Sequence, residues 1–203
     1  KTELNCNMYV LMASLFSLIL QKFALKKEII MATTFFNRNS HNYSDIAGDF
    51  ASICPFLFSS SDDMTMSEYI RKNMSEFLDA MDNSDIVFSR IADEFSESQK
   101  DNVNPVYQAA MVYHSQGLLG MKADAWNFRM KFKDLAYEGN VDDFLVDLYA
   151  KVTEESDKIV FSLIYNKMLF RKETAENIID IYGKLLENAD SMLNMQLKDI
   201  SLD

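Results

Sequence analysis

The sequence predicts an all-α protein: an up-and-down helical bundle of about five to seven helices with a long C-terminal helix. Three observations carry that expectation. The 203 residues include only five Gly and two Pro, the residues that punctuate tight turns and hairpins. Thirteen Met supply good helix formers that also adapt to irregular core gaps. Apolar residues recur at three- and four-residue steps along most of the chain, and the reading finds no two-residue alternation and no internal repeat. With 48% hydrophobic and 25% charged residues, the composition is that of one ordinary globular domain.

Met8 to Leu20 is an uninterrupted apolar run, shorter than a membrane-spanning helix requires. It lacks the basic lead and cleavage site of a signal peptide. Residues 1–44 are expected to be a leader or loosely ordered segment with a short apolar helix over 8–25. Lys26-Lys27-Glu28-Ile29-Ile30-Met31 back-translates to a purine-rich ribosome-binding sequence ahead of a start codon, so a bacterial or phage product starting at Met31 is one expectation. Residues 45–203 are expected to form a single helical-bundle domain.

Ile46, Phe50 and Ile53 have helical spacing, limited by Pro55. Thr65 and Glu68 form a capping box that starts a helix with Met66, Tyr69, Ile70, Met74, Phe77, Leu78 and Met81 on its inner face. A further helix carries Val87, Phe88, Ile91, Ala92 and Phe95. Asn104-Pro105 reads as the start of a helix through Tyr107, Ala110, Met111, His114 and Leu118. Ala125, Phe128, Phe132 and Leu135 mark another, closed by Gly139-Asn140, and 141–152 a short one. The last helix is predicted over 156–195. Ile164, Met168, Arg171, Ala175, Ile178, Tyr182, Leu185, Ala189 and Met192 alternate steps of four and three along it, the spacing of a coiled-coil seam.

Chemistry is sparse. His41 and His114 lack the convergent donors of a metal site. Cys6 and Cys54 form no disulfide framework, and Cys54 beside Pro55 reads as an inert thiol. No phosphate-binding loop, dinucleotide fingerprint, nucleophile elbow or paired-histidine zinc motif occurs. Lys122, Arg129, Lys131 and Lys133 interleave with Trp126, Phe128 and Phe132, but helical geometry makes these a solvated flank beside a core stripe. No catalytic residue, metal or cofactor is expected.

A net charge of −11 and a pI near 4.6 disfavour nucleic acid and anionic membranes as partners. The function expected is that of a non-enzymatic acidic interaction or assembly protein, binding a protein partner or itself. Its interface candidates are Trp126, Ile164, Met168, Arg171, Ile178, Tyr182, Leu185 and Met192. The alternatives are an acidic immunity or inhibitor protein that blocks a basic site on a toxin or nucleic-acid-processing enzyme, and an enzyme or small-ligand carrier whose site lies inside the bundle. The expected location is the cytoplasm, with secretion as the alternative, and no transmembrane span is expected.

Overall fold

The computed structural model describes residues 4–35, 37, 46–48, 50–95, 104–114, 129–137, 146–155 and 158–202. It corrects the all-α expectation: a six-stranded mixed sheet forms the body, in the order β2-β1-β3-β5-β6-β4. The strands are β1 (Glu28–Phe35), β2 (Ser52–Ser59), β3 (Ala109–His114), β4 (Arg129–Tyr137), β5 (Leu148–Glu154) and β6 (Lys158–Asn166). The helices are α1 (Met8–Ala24), α2 (Met66–Asp82), α3 (Phe88–Glu94) and α4 (Lys172–Met192).

The corrections have physical reasons. Three of the five strand pairings, β1 with β3, β3 with β5 and β4 with β6, are parallel. Parallel strands are joined by long crossovers rather than tight turns, so scarce Gly and Pro do not exclude a sheet. Leu148, Ala150 and Val152 are buried while Lys151 is exposed, the alternation of a strand with one face on a core. Ile53 and Pro55 lie in β2 rather than in a helix. That strand is at the outer edge of the sheet, where a missing N–H is tolerated. Asn104 does cap, but a turn: its Oδ1 accepts the amides of Val106 and Tyr107 at 2.9 and 3.1 Å, and β3 follows. Arg129–Tyr137 is a strand, not part of a helix. The C-terminal helix is shorter than 156–195, because β6 occupies 158–166 and α4 begins at Lys172.

Helix α1 fits the apolar run, with Asn7 Oδ1 accepting the Val10 amide at 2.7 Å as its N-cap. Residues on every side of it are buried, as expected of a helix without a polar face. Far from an arm beside a bundle, it lies at the centre of the main core with α2, α4 and the inner face of the sheet. Met31 lies inside β1 and is fully buried. Phe16 of α1 meets Phe161 of β6 and Tyr182 of α4, both at 6.0 Å between ring centroids. At the other end of α1, Tyr9 packs on Phe56 and Phe77. The far face of the sheet carries a smaller cluster, in which Ala32, Tyr107 and Ala110 are covered by Phe88 of α3.

Polar groups fix how α1 sits. Ser17 Oγ and Tyr69 OH lie 2.7 Å apart, and Gln21 Nε2 donates to Tyr69 OH and to the Phe58 carbonyl. Asn73 Nδ2 donates to Ser14 Oγ at 2.9 Å. These bonds join α1 to α2 and β2 inside the core, where each is costly to break.

The Thr65 capping box is present in full. Thr65→Ala is expected to cost about 0.5–2 kcal/mol, read as a lower denaturant midpoint. Alkali provides a second check. Burial pushes the Tyr69 phenol up to about 12, against the opposing hydrogen bonds of Ser17, Asn73 and Gln21. Burial likewise raises Tyr9 and Tyr182. An unfolded phenol releases its proton near pH ~10, so between pH ~10 and ~12 the unfolded chain binds fewer protons and stability falls. Tyr69 alone contributes about 2–3 kcal/mol of this loss. The denaturant midpoint is therefore expected to hold steady up to pH ~9 and to drop steeply by pH ~11.5. A flat profile would show these phenols to be solvated.

Candidate functional site

Strands β1, β3 and β5 run parallel, so their carboxyl ends share one edge of the sheet. From β1 the chain turns outward to β2 and then returns to the other side of β1 as β3. In open sheets with parallel strands, ligands are usually bound outside the strands' carboxyl ends.

Three separate segments supply polar groups there. Asn37 follows β1, Ser52 opens β2 opposite Phe35, and Ser84 lies in the turn after α2. Asn37 Nδ2 donates to Ser52 Oγ at 2.7 Å, Ser84 Oγ donates to Asn37 Oδ1 at 3.1 Å, and Ser52 Oγ donates to the Ser84 carbonyl at 3.3 Å. The backbone at Asn37 is left-handed, with φ 48°, a conformation Asn tolerates better than most residues. Beneath it, burial holds the Tyr9 phenol protonated, with Thr33 opposing and Cys54 reinforcing that shift. Burial also pushes the Cys54 thiol up, and its Sγ points a weak bond at the Ala80 carbonyl, 3.7 Å away.

Farther along the edge, the Tyr113 hydroxyl donates to Glu154 of the neighbouring strand β5. Burial raises the Tyr113 phenol, and the Glu154 carboxylate raises it further. Successive residues of a strand face opposite ways, so His114 lies on the other side of the sheet. Burial, and then the positive charge of Lys151, hold its imidazole below the usual range, and it is neutral at pH ~7.

This edge therefore presents hydroxyls, an amide, a thiol and a neutral imidazole. Such groups bind uncharged acyl and amide groups by hydrogen bonding. The one hydroxyl–carboxylate pair described at this edge is Tyr113 with Glu154. No group of three or more His, Cys, Asp and Glu among the described residues could hold a metal ion.

The interface candidates read from the sequence fall elsewhere where the structure describes them. Trp126 and His41 lie outside the described residues. Ile164 sits on β6, paired with Tyr149 and Leu135, not on the last helix. Met168 is 87% exposed in the turn after β6, and Arg171 is the residue preceding α4. Ile178, Tyr182 and Leu185 are buried in the chain's own core, with Met192 packed at its margin. The structure thus brings none of the described interface candidates to the carboxyl edge, whereas Cys54 and His114, read from the sequence as chemically inert, do lie there. Asn37, Ser52, Ser84, Tyr113 and Glu154 were not singled out. No local motif joins them, and only the pairing of strands does so. No helix among the described residues is long and apolar enough to cross a membrane.

Comparison with known proteins gives this edge a context. Residues 2–202 match the sequence profile of the Condensation domain. Bacitracin synthase 3 of Bacillus licheniformis is 24% identical over 174 residues, 86% of this chain but 3% of that protein. A four-domain nonribosomal peptide synthetase, holo-AB3403 bound to AMP and glycine, superposes with a TM-score of 0.80 at 17% identity, over 97% of this chain and 16% of that one. The X-domain from teicoplanin biosynthesis gives 0.77 at 18% identity, over 98% of this chain and 44% of that one. The chain therefore spans a small part of the synthetases it matches and under half of that X-domain chain. These findings overturn the expectation of a non-enzymatic acidic assembly protein, and the acidic inhibitor reading with it, since condensation domains are enzymatic units that catalyse peptide-bond formation. The assembly reading rested on the seam from Ile164 to Met192 and the scarcity of catalytic donors, and the inhibitor reading on the −11 charge alone, which does not by itself specify a function. A mixed sheet under three helices, matched along its whole length by one profile, is the finding from which the assignment follows: this chain belongs to the condensation-domain family.

Proposed function

We propose that this chain forms part of a condensation domain that catalyses peptide-bond formation in nonribosomal peptide synthesis, with carrier proteins as its protein partners. The observation that carries the reading is the family match along residues 2–202. The carboxyl edge of β1, β3 and β5 suits that chemistry. An amine attacks an acyl carbonyl: the C–N bond forms, the bond between the acyl carbon and its carrier breaks, and the proton lost by the amine ends on the carrier's leaving group. The amine attacks only when uncharged. A carboxylate beside it would hold it as ammonium, and the ring of Asn37, Ser52 and Ser84 is neutral. In this reading the ring orients the acyl and amide groups, and the rest of the domain supplies the acid–base groups.

The test uses the complete protein that carries this chain. Amide product is followed by mass spectrometry with Asn37→Ala, Ser52→Ala and Ser52→Thr. Each alanine is expected to slow product formation about 3- to 10-fold, the worth of one neutral hydrogen bond, and Ser52→Thr to restore most of the rate. Absence of amide product from the unsubstituted protein would refute condensation. Full rates in both alanine variants would remove the ring from the mechanism.

A further inference from the structure

The turn from α1 into β1, at the opposite end of the sheet from the polar ring, has features the fold itself does not require. Leu25 ends α1 in the left-handed region, with φ 53° and ψ 38°, its N–H directed back to the Gln21 and Lys22 carbonyls. Glycine is the residue favoured at this position, because a Cβ there is strained. Leucine is held there nonetheless, and its side chain is 91% exposed. Backbone strain and a solvated apolar side chain both oppose folding, and such a combination marks a contact made outside the chain.

The surroundings say what kind of contact. On one side of Leu25 is a hollow of about 740 Å³, with Phe23, Ile30 and Leu57 in its apolar wall. On the other is a hollow of about 430 Å³ lined by Lys22, Lys26, Lys27 and Lys198 and by one carboxylate, Asp62. Lys26 lines both. Lys27 pairs with Asp62, and Lys198 with Asp63. Lys22 gives its ammonium to the Ile200 carbonyl, and among the described residues neither Lys22 nor Lys26 pairs with a carboxylate. Asp62, Asp63, Asp199 and Glu28 lie near these four lysines, and Lys26, which borders both hollows, is among the described residues the cation left for a partner's carboxylate in a chain of net charge −11. That overall charge repels an anionic membrane, whereas a partner protein can bring carboxylates to this corner alone.

We propose that the α1–β1 corner is a docking surface for an acidic amphipathic helix of a partner protein. The apolar face of the helix lies over Leu25, Phe23, Ile30 and Leu57, and its carboxylates face Lys26. Helix-in-groove recognition has this division, in which apolar anchors give affinity and charges set orientation.

The probe is a fluorescent synthetic helix with leucines at three- and four-residue spacing and glutamates elsewhere. Its control carries lysine in place of every glutamate, and phosphatidylserine-containing vesicles form a third arm. All are titrated against the full chain by anisotropy or co-sedimentation. The glutamate helix is expected to bind, more weakly as salt rises, while the lysine helix and the vesicles do not. Leu25→Gly is expected to weaken binding about 10-fold, as loss of one buried leucine would, while the melting temperature stays level or rises because glycine relieves the left-handed strain. Lys26→Glu is expected to weaken binding several-fold by charge reversal. No binding of the glutamate helix, equal binding of the lysine helix, or binding of vesicles instead overturns the proposal. A lower melting temperature for Leu25→Gly also overturns it, since the leucine would then serve the fold.

Discussion

A helix without a polar face has to be enclosed on all sides, and the architecture can be read as the solution to that requirement for α1. Met12, Ala13, Leu15, Phe16 and Ile19 are wholly removed from water. The sheet lies beneath them and α2 and α4 lie alongside. Each large apolar side chain so enclosed contributes roughly 1.5–3 kcal/mol, and apolar packing alone would allow α1 to rotate or slide. Ser14, Ser17 and Gln21 prevent this, because their partners Asn73, Tyr69 and the Phe58 carbonyl are met in one placement only. The same helix then carries Tyr9 to the floor of the carboxyl edge, so the position of that edge depends on how α1 is held.

The sequence displayed its helices more openly than its sheet. The all-round apolar run of α1, the capping box of α2 and the spacing from Val87 to Phe95 are local signals, and each ends in a helix near the expected place. The strands were concealed by two features. In β6, Ile159, Phe161, Leu163 and Tyr165 face the core, but Val160 and Ile164 on the other face are apolar too. Two apolar faces erase the alternation and leave a run open to either reading. The seam drawn from Ile164 to Met192 then joined a strand, a turn and a helix, because steps of four and three happen to span the break between Asn166 and Lys172.

The carboxyl edge was illegible for a different reason. Asn37, Ser52 and Ser84 are ordinary residues, common in loops and turns, and nothing in their spacing announces chemistry. They meet because β1 and β2 pair from Glu28↔Ser59 to Phe35↔Ser52, and because α2 returns the chain to that end. Tyr113 and Glu154 meet through the pairing of β3 with β5. His114, expected on a helix, ends strand β3 and is half-buried.

The placement of α1 also has a consequence for biogenesis. Its seventeen residues are made before α4, yet they are sealed by it. Tyr182 OH reaches the Met12 carbonyl across 170 positions, and Lys22 reaches the Ile200 carbonyl across 178. Until α4 has emerged, a ribosome translating this sequence carries an apolar helix with one wall missing. Closing so long a loop comes late and slowly, and uncovered apolar surface is what chaperones bind and aggregates recruit. The element that organises the finished domain is thus also the one most exposed while the domain is being made.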